Sequence, residues 1–160
     1  MLETIPQFLL YLLEHIDNIK KYAIERFSKY PLSEKDKEEI LERFNQIFEN
    51  FFENNLGEFK PGNIAEKNFS GVGVTVGDAV LTGKIDLIRI DRENKKITVV
   101  DYKTGSIPFN TKTNKFDTNS TKIHEYTQQL YFYKILIENA PEFSGYTVEK
   151  GILEFIEPDK

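Results

Sequence analysis

Gly83-Lys84-Ile85-Asp86-Leu87-Ile88-Arg89-Ile90 and, beyond the polar turn Asp91-Arg92-Glu93-Asn94-Lys95, Lys96-Ile97-Thr98-Val99-Val100-Asp101-Tyr102-Lys103-Thr104-Gly105 read as the two arms of a β-hairpin. Strands are expected over 81–90 and 96–102. Centring the turn between Glu93 and Asn94 sets Asp86 opposite Asp101, Ile88 opposite Val99 and Ile90 opposite Ile97. Side chains alternate along a strand, so these pairs share one face, while Leu87 meets Val100 and Arg89 meets Thr98 on the other. Like matches like in each pair, yet one match is between two acids.

That pair is electrostatically awkward. Directly opposed residues have Cβ atoms about 5 Å apart, and like charges there repel. With Ile88, Val99, Leu87 and Val100 around it, the pair is expected on a covered face, where a lone carboxylate is costly. A shared proton or a bound cation would relieve the repulsion. Fraying of the sheet end would do so too, and would leave both carboxylates solvated and inert. Among cations, a hard divalent ion suits oxygen ligands best, and Lys103, two residues after Asp101, projects to the same face. On this reading Asp101→Asn is tolerated, because it removes the repulsion with Asp86.

Composition sets the bounds. A chain of 160 residues with 39% hydrophobic and 13% aromatic content is expected to form one compact domain with a substantial core. There is no cysteine, which excludes disulfides, zinc–thiolate sites and cysteine-ligated iron–sulfur clusters. The net charge of −5 argues against coating nucleic acid by bulk electrostatics but leaves room for a local basic groove. The apolar run 8–13 is too short to span a membrane and lacks the basic flank of a signal peptide. A cytoplasmic location with no membrane contact is the default expectation.

Outward from the hairpin, the first 55 or so residues keep a helical period. Leu9, Leu12, Leu13, Ile16, Ile19, Ala23, Ile24 and Phe27 mark a first helix, which Pro31 closes. Ser33 is placed to cap a second, with Ile40, Phe44, Ile47, Phe48 and Phe51 on one face. Residues 66–70 are expected to start the sheet, with Gly71 and Gly73 breaking the strand. Residues 108–121 show no periodicity and carry Lys112 and Lys115, so they read either as a solvated loop or as a basic border to a binding path. A helix is expected over 122–139, ending before Pro141, with Ile123, Tyr126, Leu130, Tyr133 and Ile137 buried. Gln129 and Tyr133 lie on one side of it. By themselves they read more readily as a polar flank and a core residue than as a site. A last strand over 146–156 completes an α/β fold, with Gly151 at a bend or bulge.

Gly83-Lys84-Ile85-Asp86, Asp101-Tyr102-Lys103-Thr104-Gly105 and Gln129-Leu130-Tyr131-Phe132-Tyr133 resemble, in order, the G-x-x-D, D-Y-K-[ST] and Q-x-x-x-Y signatures of RecB-type nucleases of the PD-(D/E)XK superfamily. Glu66 and Phe69 are similar to the acidic–aromatic strand that precedes them. The resemblance spans about 65–156. It implies a restriction-endonuclease-like mixed β-sheet flanked by helices, in a single domain over 1–160 made of a helical segment, 1–57, and a catalytic core, 65–156. It further implies that Asp86, Asp101 and the backbone carbonyl of Tyr102 hold Mg²⁺ or Mn²⁺, and that Lys103 assists the attacking water. Gln129 and Tyr133 would line the site, with Lys112 and Lys115 on the substrate. The implied activity is metal-dependent hydrolysis of DNA in repair or recombination, with a helicase as partner or fusion.

One departure stands against the pattern. The family's metal-binding histidine in G-x-x-x-H is not found, and His15, which has no glycine four residues before it, reads as a surface residue. Glu14, Glu49 and Glu53 are the helical acids available to replace it. The competing expectation is therefore a catalytically weak module that binds DNA or a helicase through the same fold.

Overall fold

The computed structural model describes residues 7–55, 60, 62–105, 107–110, 115–117 and 120–156; at 7–15, 52–54, 109, 110, 115 and 116 the description is of the backbone. The chain divides into two compact units, Met1–Pro61 and Gly62–Lys160. Among the described residues no helix is long and apolar enough to cross a membrane.

The first unit is a helical hairpin of α1 (Gln7–Phe27) and α2 (Glu34–Asn55). Ser33 Oγ accepts from the Asp36 backbone N–H at 3.2 Å and its hydroxyl donates to the Asp36 carboxylate at 2.6 Å, satisfying one of the first-turn donors of α2. Phe44 stacks edge-on to Phe27 at 5.6 Å and tilts against Phe48 at 5.4 Å. Lys20 pairs with Glu49 at 3.0 Å, which with the Phe27–Phe44 contact makes the two helices antiparallel.

The second unit is built on a four-stranded sheet in the order β1 (Ile64–Asn68), β4 (Lys84–Asp91), β5 (Lys96–Lys103), β8 (Thr147–Phe155). The first two pairings are antiparallel and β5–β8 is parallel, so the sheet is mixed. Between β5 and β8 the chain makes a short β6–β7 ladder (Phe109–Asn110 with Lys115–Phe116), then α3 (Thr121–Glu138) and a 3₁₀ turn, Pro141–Phe143. This is the mixed α/β sheet with helical flank and N-terminal helices of the restriction-endonuclease-like class. The stretch expected to lack regular structure thus carries a small hairpin at its base. Lys112 lies outside the described residues, as does the side chain of Lys115.

The turn holds the expected register. Leu87–Val100, Ile88–Val99, Arg89–Thr98 and Ile90–Ile97 all pair, and Asp91–Lys96 closes the ladder. Asp91 Oδ1 accepts the backbone N–H groups of Glu93 and Asn94, both at 3.1 Å, which curls the chain back immediately. Its carboxyl is held below the usual range, chiefly by the hydrogen bond from the Asn94 side chain.

The first arm starts later than expected. Residues 79–81 form β3 (Ala79–Leu81), which pairs with β2 (Val74–Val76) as a separate ribbon, and β4 begins only at Lys84. The break falls at Gly83, where a Cβ would come within 2.8 Å of Leu136 Cδ1 and 3.3 Å of Phe132 Cε1. The glycine of the first motif is the place where α3 lies against the sheet. Gly151 has the same role, since a Cβ there would meet Leu130 at 3.1 Å; the sheet irregularity expected of it lies instead opposite the Ile97–Thr98 step, at Glu149.

The core forms where α3 lies over β8 and β5, with β4 alongside. Phe69, Ile85, Ile88, Ile97, Val99, Leu136 and Ile137 are fully buried in one cluster. Ser120 caps α3 by accepting from Ile123 N–H at 3.2 Å. Leu136, outside the expected stripe, is buried because the helix meets the sheet at Gly83.

Candidate active site

The site forms where the hairpin ladder stops. Beyond Leu87–Val100 no backbone pair joins β4 to β5, so Asp86 and Asp101 are not a directly paired couple as expected. Instead Asp86 Oδ2 accepts the backbone N–H of Tyr102 at 2.9 Å, replacing the missing strand partner with a carboxylate. On the other side of β4 the pairing with β1 is interrupted at the same residue, with the register kept on either side. Pairing with β1 passes from Ala65–Leu87 to Lys67–Ile85 and skips Glu66 and Asp86, and Glu66 has φ +56°. Ile85 and Ile88, three apart, are both fully buried in the same cluster, so strict alternation slips across this step. Glu66 forms an ion pair with Lys84, whose ammonium is held above its usual range by that hydrogen bond and charge.

Asp101 is 3% exposed, and it is the buried charged side chain among the described residues. An ionised group there must be compensated. Oδ1 accepts from Gln129 Nε2 at 2.9 Å and from the Tyr133 hydroxyl at 3.0 Å. Oδ2 lies 2.5 Å from Lys103 Nζ, an ion-pair contact without aligned hydrogen-bond geometry, so this buried oxygen has charge beside it but no satisfied lone pair. Lys103 Nζ donates to Gln129 Oε1 at 2.8 Å and sits 4.4 Å over the centroid of the Tyr126 ring.

Gln129 is the hub. Its amide faces a carboxylate, a phenol and an ammonium, and only one orientation satisfies all three: nitrogen toward Asp101 and Tyr133, oxygen toward Lys103. Burial, with the Asp101 charge second, pushes the Tyr133 phenol up to about 12, so it stays a neutral donor to Asp101 at any ordinary pH. The three positions 126, 129 and 133 project from one side of α3, which is how a helix meets the end of β5.

Asp86, Asp101, Lys103, Gln129 and Tyr133 are therefore brought together from two strands and a helix. Tyr102 offers its carbonyl on the same side as its N–H, toward Asp86, as the two groups of one strand residue do. The donor set is all oxygen, with one carboxylate oxygen buried and short of aligned donors, and this suits a hard divalent cation. Among the described residues no third histidine, aspartate or glutamate joins the pair. Glu49 is paired with Lys20, while the side chains of Glu14, His15 and Glu53 lie outside the described residues. Tyr126 is the site residue that sequence reasoning missed. Its spacing reads as part of the buried stripe, and its position three before Gln129 is the available signal.

A family model described as the PD-(D/E)XK nuclease superfamily matches residues 9–155. No curated protein and no solved structure matches the chain.

Proposed function

This chain belongs to the PD-(D/E)XK nuclease superfamily, and we propose that it is a RecB-type, metal-dependent deoxyribonuclease acting in DNA repair or recombination beside a helicase in the cytoplasm. The observation that carries the reading is Asp101: a buried carboxylate locked by Gln129 and Tyr133, with a lysine two residues on at its second oxygen.

Asp86, Asp101 and the Tyr102 carbonyl would hold Mg²⁺ or Mn²⁺. When bound, such an ion polarises the phosphate and lowers the pKa of a coordinated water. The chain's own groups do the rest. Gln129 and Tyr133 hold the Asp101 carboxylate fixed in direction. Lys103 orients the attacking water and offsets negative charge growing on the phosphate, an interaction that strengthens where water is excluded. Hydrolysis then leaves a cleaved phosphodiester.

The purified chain is expected to cleave labelled single- or double-stranded DNA with Mn²⁺, and Asp101→Ala is expected to be inert. The ion should also raise the melting temperature of the parent, since saturation a hundredfold above Kd stabilises by about 2.7 kcal/mol. Equal melting at millimolar Mn²⁺ with no calorimetric binding signal would remove the metal from this reading.

The absence of a third acidic or histidine ligand among the described residues favours a second reading, a weak or inactive module that binds DNA or a helicase. Binding with no cleavage under any divalent ion would select it. On either reading Lys112 and Lys115 are proposed phosphate contacts. Replacing both with alanine should weaken DNA binding and flatten its dependence on salt by roughly one to two in slope. Unchanged affinity from low to high salt would take the 108–121 segment out of the interface.

A further inference from the structure

We infer that Tyr126 is a positioning residue of this site, its ring face fixing where the Lys103 ammonium sits; the consequence for catalysis rests on the nuclease reading above. The Lys103 nitrogen lies 4.4 Å from the Tyr126 ring centroid, well within the range of a cation–π contact. The ring is not there by chance of a loose side chain. It meets Phe155 edge-on at 6.2 Å, and Phe155 is the β8 residue paired with Lys103 across the parallel ladder. Strand, ring and lysine thus brace one another.

Lysine needs such bracing. Its ammonium is a point charge with three donors on a flexible four-carbon stem, and one acceptor fixes a direction without fixing a position. Two of its neighbours are Asp101 and Gln129. Asp101 is an uncertain anchor for a working lysine, because a carboxylate that also serves a divalent cation shares its charge. Gln129 supplies a single dipole. The ring face is the remaining constraint, and it does not depend on the charge of Asp101. The Lys103 side chain is 17% exposed, so the attraction acts in a largely desolvated place, where such contacts are strongest.

The alternative is that Tyr126 only fills space against Phe155. The test uses the full chain with Tyr126→Phe, Tyr126→Leu, and phenylalanine at 126 carrying one, two or three ring fluorines. Fluorination drains the negative ring face while leaving size nearly unchanged. One readout is the Lys103 ε-methylene proton shift, identified by its loss in Lys103→Arg; the others are kcat and KM with Mn²⁺ and DNA, and Tm as the check on folding.

The expected result is an upfield Lys103 signal in the parent and in Tyr126→Phe, lost in Tyr126→Leu. kcat should stay within about twofold in Tyr126→Phe and fall roughly three- to thirtyfold in Tyr126→Leu, with KM little changed. It should decline stepwise with each fluorine. A Lys103 signal without an upfield shift in the parent, a flat kcat across the fluorine series, or a Tyr126→Phe as slow as Tyr126→Leu would overturn the inference. A parent that cleaves no DNA with any divalent ion sinks the nuclease reading instead, and the Lys103 signal then decides the position of the lysine alone.

Discussion

Lys103→Ala is expected to lower metal-dependent DNA cleavage by roughly a hundredfold or more, the scale for removing one positioned group that stabilises developing charge. Lys103 is the cation in contact with the buried Asp101 and lies at the end of β5, where the ladder to β4 has opened. The fold should survive. Asp101 keeps Gln129 and Tyr133 as donors, so the loss is expected to be about 1–3 kcal/mol, less than the 3–5 kcal/mol of stripping a fully buried pair. Urea denaturation measures that loss, and single-turnover cleavage at fixed Mn²⁺ measures the other. Asp101→Asn should also abolish cleavage, but the tolerance expected from the charge pattern no longer holds. Asp101 faces three donors, and an asparagine has one oxygen, so its amide must point at either Lys103 or the Gln129–Tyr133 pair. A stability loss of about 1–3 kcal/mol follows from the unsatisfied contact. Cleavage by Lys103→Ala at the parent rate would leave the binding-module reading in possession.

Leu136→Ala is expected to destabilise the α/β unit by about 2–5 kcal/mol, the largest stability effect foreseen for one substitution in α3. Leu136 is fully buried, and its Cδ1 occupies the space that a side chain on Gly83 would need. Truncation opens a cavity at the contact that holds α3 against the start of β4, and the sheet cannot close it without moving the helix that carries Gln129 and Tyr133. Cleavage should therefore fall along with stability. The urea midpoint should drop with an unchanged slope. A loss below about 1 kcal/mol would mean that the helix is not seated on Gly83 and that this account of the motif glycine is wrong.

Much of this was legible in the chain itself. The hairpin register followed from the polar turn and from matching apolar to apolar across it, because alternation with period two leaves one register that buries both faces consistently. The Q-x-x-x-Y spacing placed Gln129 and Tyr133 on one side of a helix for an equally local reason, the 3.6-residue turn. Local geometry of this kind is written in nearest neighbours, and a sequence states its neighbours directly.

Only the tertiary structure decided what depends on residues distant in the chain. Asp86 and Asp101 were expected to face each other, yet Asp86 turns to the Tyr102 N–H where the ladder has opened, and beside it the pairing with β1 is interrupted at Glu66, on a third strand that the hairpin alone does not contain. Gly83 read as part of the first arm and its motif, and Gly151 as a bend or bulge; both proved to be clearances, for Leu136 and Phe132 and for Leu130. Tyr126 read as core, and its ring lies beneath the ammonium of a residue 23 positions earlier. The physical reason is common to all three: packing and charge act through space, where a side chain answers to whichever helix or strand the fold sets beside it.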